Sequence, residues 1–207
     1  MYALRFDGSF RSLPEKPVPS GFLGFGWLVY FQTVLIAYGY GIAARGKDAT
    51  SNVAEYLALI EGLEAMIGMG ITSQPVAVLS DANVIIHRMN GYATVGTFRD
   101  QPLHNQAVKL SQEVNIYDWR WVPRQCNYQA DALSRKCFQE LLGDRESLNQ
   151  ALLTLQRNRE EEDDTLHYLD GLQIIKRDDL PAPTSQNGVT LLATYLTASS
   201  REMAAVT

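Results

Sequence analysis

The sequence predicts an α/β fold, and three observations carry that prediction. A short alternating segment, YALRFDG (2–8), is followed by two long apolar runs rich in β-branched and aromatic residues, about 23–31 and 34–43, so three antiparallel strands come first. Further on, segments with apolar residues at helical spacing alternate with two more strand-like runs, the pattern of crossover connections. The 207 residues, 46% hydrophobic and 20% charged, have the composition of a globular domain with an appendage and not of a disordered, collagen-like or coiled-coil chain.

Each element has its own signal. Residues 17–44 hold no charge, which invites a comparison with a membrane span. Five glycines and the Gln32-Thr33 pair interrupt the stretch, and its aromatic and β-branched content fits two buried strands turning at 32–33. The segment RSLPEKPVPSG (11–21), with three prolines, reads as a loop. From Asn52 to Met69, Tyr56, Ile60, Leu63 and Ile67 fall on one helical face, with Gly68 and Gly70 near the end. VAVLSD (76–81) suits a buried strand. Short helices are expected over 82–89, stopped by Asn90-Gly91, and over about 102–114. YDWRWVP (117–123) alternates like a strand, with one of Trp119 and Trp121 expected in the core. A last helix of the body runs from about Tyr128 to Leu142. After Gly143 the character changes. An amphipathic stretch (146–159), an acidic run (160–164), the segment LHYLDGLQII, a proline-containing linker and a final segment with Leu191, Leu192 and Tyr195 follow. The expected organisation is a domain over 1–143 and an acidic C-terminal extension over 144–207.

The formal net charge of -5 argues at first against a nucleic-acid partner. The charge is uneven, however. Residues 1–138 carry 12 Lys/Arg against 11 Asp/Glu, and residues 139–207 carry 6 against 12. The body is therefore neutral and an anionic partner is admissible there. Cys126 and Cys137 stand without a CxxC or Cys/His cluster, which fits reduced thiols, and the N-terminus shows no secretory pattern. A cytoplasmic, non-membrane protein is expected.

Four acids fall at strand ends and helix starts, where α/β sheets build their sites. Asp7 interrupts the first strand, Glu55 lies in the first turn of the first long helix, Asp81 ends VAVLS, and Asp131 opens the last body helix. Buried carboxylates are costly unless paired, and a divalent cation such as Mg²⁺ is one partner. Local pattern leaves other readings open: a capping box between Asn52 and Glu55, a dipole-favoured acid at 131, a turn at Asp7-Gly8-Ser9, and an N-cap at Asp81.

The segments FDGSF, TSNVAEYLALIEGL, VLSDANVIIHRMNG and WVPRQCNYQADALSRKC resemble, in order, the four motif blocks of type 1 ribonuclease H, in the branch common to archaea, bacteria and plant ribonuclease-H-like proteins. The resemblance covers about residues 1–140. It implies a five-stranded mixed sheet, three antiparallel strands first, flanked by helices, with a helical or irregular extension. It implies an endonuclease that hydrolyses the RNA strand of an RNA–DNA hybrid with two Mg²⁺ ions, about 3.5–4 Å apart, Mn²⁺ being able to substitute. Asp7 would bridge both ions, Glu55 and Asp81 would hold the ion on the leaving-group side, and Asp131 the ion that activates water. Four clustered carboxylates repel without metal, so metal would also stabilise the fold.

The same resemblance assigns supporting roles. Gly8 would let the backbone approach the substrate and Ser9 would offer it a hydroxyl. Thr50 would bind a DNA phosphate. Asn52 would contact nucleotides in the minor groove, where the 2′-OH marks RNA, or cap its helix. Arg124 stands where much of the family carries a histidine that helps product leave, and Asn127 would shape its loop near the substrate. His87 and His104 read as packing or surface residues. Two departures stand out. The basic, tryptophan-containing protrusion of some members is absent, so hybrid affinity should be lower and salt-sensitive. The acidic extension has no counterpart and leaves self-association or a protein partner open. The competing readings are a non-catalytic nucleic-acid-binding or interaction module on this fold, disfavoured by an intact acid set, and a nuclease of the same fold acting on another nucleic acid.

Overall fold

The computed structural model of the chain describes residues 1–12, 20–96, 98–141, 143–169 and 173–176. The expected linker around Pro181–Pro183 and the segment with Leu191, Leu192 and Tyr195 lie outside the described residues, as does most of the loop 11–21. The chain divides into two units, Met1–Ile174 and Ile175–Thr207.

The strands of the first unit are β1 (Tyr2–Ser12), β2 (Gly21–Phe31), β3 (Val34–Arg45), β4 (Val76–Ser80), β5 (Ile116–Trp121) and β6 (His167–Tyr168). Its helices are α1 (Ser51–Gly68), α2 (Asn83–Met89), α3 (Gln101–Ser111), α4 (Tyr128–Leu141) and α5 (Arg145–Glu160), with a short 3₁₀ turn at Arg124–Cys126 before α4. The sheet runs in the order β5-β4-β1-β2-β3-β6. β1, β2 and β3 form an antiparallel meander, and β4 and β5 add in parallel on the far side of β1. The mixed α/β sheet is thus as the sequence predicts, with one correction. β6 pairs antiparallel with β3 at Ala43 and Ala44, so the sheet extends beyond the expected five strands.

The uncharged stretch folds as two strands because both faces of the sheet are covered. On β2, Leu23, Phe25, Trp27 and Val29 pack with Leu4 and Phe6 of β1 and with Tyr56, Leu57, Ile60 and Leu63 of α1. The alternate residues Phe22, Leu28 and Tyr30 face α4 and α5. A strand buried on both sides reads as an unbroken apolar run rather than an alternating one. The β2–β3 turn places Gln32 in the left-handed region at φ 56°. Among the described residues no helix is long and apolar enough to cross a membrane.

A second correction concerns the boundary expected at residue 143. Asp144 caps α5 by accepting from the Ser147 backbone N–H at 2.8 Å. α5 then buries Ala151 and Leu155 against Phe22, Tyr40, Ile42 and Ala44 of the sheet and Cys137 and Phe138 of α4. The compact unit continues past 143 through α5 and β6 because the outer half of β3 would otherwise be uncovered.

Candidate active site

The four carboxylates come from four elements. Asp7 sits in the middle of β1, opposite Gly26 of β2, and is 4% exposed. It is a strand residue, not the turn its neighbours Gly8-Ser9 allowed. Glu55 belongs to the second turn of α1. Thr50 is the N-cap, its hydroxyl accepting from the Val53 N–H at 3.3 Å. The capping box between Asn52 and Glu55 therefore does not form. Glu55 turns instead toward β1 and accepts the Gly8 N–H at 2.9 Å. Asp81 follows β4, and Ala82, not Asp81, occupies the N-cap of α2. The Asp81 carboxylate accepts from Asn127 Nδ2 at 2.7 Å. Asp131 lies in the first turn of α4, held by the guanidinium of Arg124 and, at 3.0 Å, by that of Arg135.

Their charges act on one another. Burial above all pushes Asp7 up to about 7; the Ser134 hydroxyl opposes this, the negative charges of Asp81 and Asp131 add to it, and Arg124 opposes it. Glu55 is raised well above the usual carboxylate range, first by burial, then by the charge of Asp7, against the hydrogen bond from Gly8. Among the described residues no three His, Cys, Asp or Glu side chains stand close enough to cage an ion as they are placed. The donor chemistry nevertheless fits a hard divalent cation. All donors are carboxylate oxygens, and burial disfavours the charged form of two of them, Asp7 and Glu55, a cost that a bound cation would offset. Bringing the fourth in requires Asp131 to turn from Arg124 and Arg135.

The supporting residues divide. Gly8 is required by α1 rather than by a ligand, since a Cβ there would lie 2.2 Å from the Ala54 carbonyl carbon. Ser9, expected to offer its hydroxyl to substrate, donates it to the Ser134 carbonyl at 2.6 Å. Asn127, expected among the substrate contacts, is fully buried and donates to the Phe6 carbonyl at 2.8 Å as well as to Asp81. It ties the loop before α4 to β1 and steadies Asp81, and the Arg5 guanidinium adds a bond to the Cys126 carbonyl. Asn127→Ala should cost about 2–3 kcal/mol, because it leaves a buried carbonyl without its donor; a thermal melt against wild type measures it. Arg124 is exposed and touches Asp131. Thr50 and Asn52 lie at the start of α1, where Asn52 Nδ2 faces Asp100 Oδ2 at 3.4 Å beside the buried Arg88–Asp100 pair.

Ser134, outside the sequence-derived set, is the donor to Asp7, at 2.5 Å. Its signal was its place three residues after Asp131, on the same face of a helix. Trp121, half exposed, donates its indole N–H to the Asp81 carbonyl at 3.2 Å, while Trp119 packs on the core. His104 stacks edge-on against Tyr56 and His87 against Tyr92, packing roles as expected.

Fold and site together define a ribonuclease H-like protein: an antiparallel three-strand start, two parallel strands added beside β1, and carboxylates contributed by β1, α1, the end of β4 and α4. The family model described as reverse transcriptase-like matches residues 26–137, and the chain belongs to that ribonuclease H-like family. The match contains Glu55, Asp81 and Asp131, and Asp7 joins them through the β1–β2 pairing. The resemblance to type 1 ribonuclease H carried by the four motif blocks is borne out.

The chain is 34% identical over 128 residues to the bifunctional protein Rv2228c of Mycobacterium tuberculosis, covering 62% of this chain and 33% of that protein. The solved N-terminal RNase H domain of Rv2228c superposes with a TM-score of 0.55 at 26% identity, over 74% of this chain and 99% of that one. Ribonuclease HI of Halobacterium salinarum is 30% identical over 142 residues, 65% of this chain and 63% of the relative. LC11-RNase H1, solved in complex with an RNA/DNA hybrid, shares the fold with a TM-score of 0.56 at 22% identity, over 69% of this chain and 99% of that one. The chain thus spans about a third of the length of the first curated relatives it matches.

Proposed function

We propose that the chain is a divalent-metal-dependent endoribonuclease that hydrolyses the RNA strand of RNA–DNA hybrids. One observation carries the reading: Asp7, Glu55, Asp81 and Asp131 come from four elements of a ribonuclease H-like sheet and couple electrostatically around Asp7 and Glu55. A non-catalytic module would have no use for two buried carboxylates held at raised pKa, a cost that a fold retains where a site needs it. The name of the Halobacterium relative and the hybrid in the LC11 complex support the substrate.

These four side chains would hold Mg²⁺, two ions by analogy with the type 1 enzymes, Mn²⁺ substituting. When bound, the metal supplies Lewis-acid activation of the phosphodiester and of the attacking water. The protein's share is placement. Glu55 is fixed by Gly8, Asp81 by Asn127, and Asp7 by its central strand position. Arg124, exposed on the surface, is free to exchange between Asp131 and a departing phosphate. Thr50 and Asn52, at the N-terminus of α1, would contact the hybrid backbone and minor groove. A cytoplasmic setting is part of the same proposal.

The test is a labelled RNA–DNA hybrid incubated with the chain in Mg²⁺ or Mn²⁺, beside EDTA and beside Asp81→Asn. Cleavage of the RNA strand to 5′-phosphate products in metal, and in neither control, is expected. Equal cleavage by wild type and Asp81→Asn would refute the reading, and preferential cleavage of single- or double-stranded RNA would reassign the substrate.

A further inference from the structure

Asp7 is nearly without solvent contact, so its carboxylate orientation has to be set by the protein. The geometry that sets it begins in the β1–β2 register. Asp7 lies opposite Gly26 and Ser9 opposite Gly24, and both side chains point to the face that α4 covers. At both facing positions β2 carries a glycine. A Cβ on Gly24 would stand 2.3 Å from the Ser134 carbonyl oxygen, and one on Gly26 2.5 Å from Leu133 Cβ and 2.7 Å from the Ser134 nitrogen. The two glycines thus remove one row of side chains and let α4 lie directly on the strands. The residue brought into the gap is Ser134, fully buried.

Ser134 closes two contacts there. Its carbonyl accepts the Ser9 hydroxyl at 2.6 Å, and its own hydroxyl stands 2.5 Å from Asp7 Oδ2 and 3.0 Å from the Asp131 carbonyl. A hydroxyl has one proton to give, and the carboxylate is the stronger acceptor. Ser134 sits one helical turn after Asp131, so a single turn of α4 supplies one proposed metal ligand and the donor that orients another. An alanine would fill the same helical position, pack against the same glycines and leave Asp7 Oδ2 without that donor.

We propose that Ser134 is a positioning residue for the divalent-cation site: its hydroxyl holds Oδ2 of Asp7 and thereby presents the other carboxylate oxygen to the cation. The proposal rests on the four carboxylates being a divalent-metal site. Its cost when lost is that of an outer hydrogen-bond partner to a metal ligand, about 10–100-fold in metal affinity or turnover.

The experiment uses the full chain as wild type, Ser134→Ala, Ser134→Thr, Asp7→Asn and the Ser134→Ala/Asp7→Asn double variant. Mn²⁺ binding without nucleic acid is read by electron paramagnetic resonance, kcat and KM are read on the hybrid, and folding is checked by circular dichroism. Ser134→Ala is expected to bind Mn²⁺ about 10–100-fold more weakly and to lose kcat with KM for the hybrid unchanged. Ser134→Thr, which keeps the hydroxyl, should recover most of that affinity, and Ser134→Ala should have no further effect once Asp7 is asparagine. Mn²⁺ affinity in folded Ser134→Ala equal to wild type would overturn the proposal. So would a loss as large on the Asp7→Asn background as on the wild-type one. The binding readout separates the two readings. A wild type that binds Mn²⁺ through Asp7 and Ser134 but leaves the hybrid intact sustains the role of Ser134 and overturns the substrate. A wild type that cleaves the hybrid while Ser134→Ala matches it in both readouts overturns Ser134 alone.

Discussion

Asp7→Asn is expected to abolish hybrid cleavage while making the metal-free protein more stable at pH 8. The first effect follows from the position of Asp7 among the carboxylates. Metal-ion stabilisation of a phosphoryl transition state is worth several kcal/mol, so at about 1.4 kcal/mol per tenfold the loss should reach at least ~10³-fold. The second follows from burial. Asp7 is held at about 7 in the folded protein, against an ordinary 3.8, chiefly because its charge would be buried. A carboxyl whose folded pKa lies above its unfolded one binds more protons in the native state over the window between them. Stability therefore falls as pH rises from about 4 to about 7 and stays at the lower value above that. Asparagine has no proton to lose, so the penalty at pH 8, on the order of 2–4 kcal/mol, should be relieved. Below pH 4 both carboxyl states are protonated and the two proteins should agree. Urea titrations in EDTA at pH 4, 6 and 8 measure this. Any slope remaining in Asp7→Asn belongs to Glu55, which is raised by the same burial and, in wild type, by the charge of Asp7. Parallel pH profiles for the two proteins would show that Asp7 is ionised at no cost. Mg²⁺ should raise the melting temperature of wild type and have little effect on the variant.

Ending the chain after Gly143 is expected to destabilise the fold by on the order of 5 kcal/mol, a large share of a domain's whole stability. Leu155 is fully buried, Ala151 nearly so, and both cover Phe22, Tyr40, Ile42 and Ala44, the outer face of β2 and β3. Removing α5 strips that face and its cover over Phe138 at once, and each large apolar side chain returned to water costs about 1.5–3 kcal/mol. The C-terminal end of α5 also closes on the loop after β3, where a Cβ on Gly46 would lie 2.1 Å from the Asn158 carbonyl oxygen. A melting temperature lower by about 10–20 °C should result. Leu155→Ala in the full chain isolates the main contact at about 2–4 kcal/mol. A 1–143 chain melting within a few degrees of the full chain would show that α5 merely rests on the sheet. All four proposed ligands precede residue 143, so activity lost on truncation should track the unfolded fraction and not the chemistry.

Much of this molecule is legible in one dimension, and the reasons differ by element. β2 and β3 were readable because strands covered on both faces need apolar residues throughout, and no soluble helix of that length needs five glycines. α1 was readable from its period, and its start was placed within a residue. Its cap, left open at Asn52 by the sequence, falls on Thr50: Thr50, Ser51 and Asn52 are all competent capping residues in a row, and only the backbone decides which of them flanks the first turn. The boundary at 143 was misplaced for a related reason. The run after it is polar and acidic on average, and the two apolar contacts that anchor α5, Ala151 and Leu155, carry little weight in such a composition. For the site, the four acids could be proposed as a set because each stands in a recognisable motif. Asn127 and Ser9 were given to the substrate because a polar residue near an acid gives no sign of which way it faces. In the fold, both turn inward.

By itself the sequence determined the α/β class and the order of the elements from β1 to α4, and it singled out the four carboxylates proposed as ligands, because periodicity and motif spacing are properties of consecutive residues. The tertiary structure alone decided which groups hold those carboxylates. Asn127 reaches Asp81 across 46 positions and Ser134 reaches Asp7 across 127. Contacts at such separations depend on strand register and on how closely a helix can approach a sheet, here set by Gly24 and Gly26. A glycine in a strand shows only that a side chain is missing, and the helix that occupies its place is visible once the chain has folded.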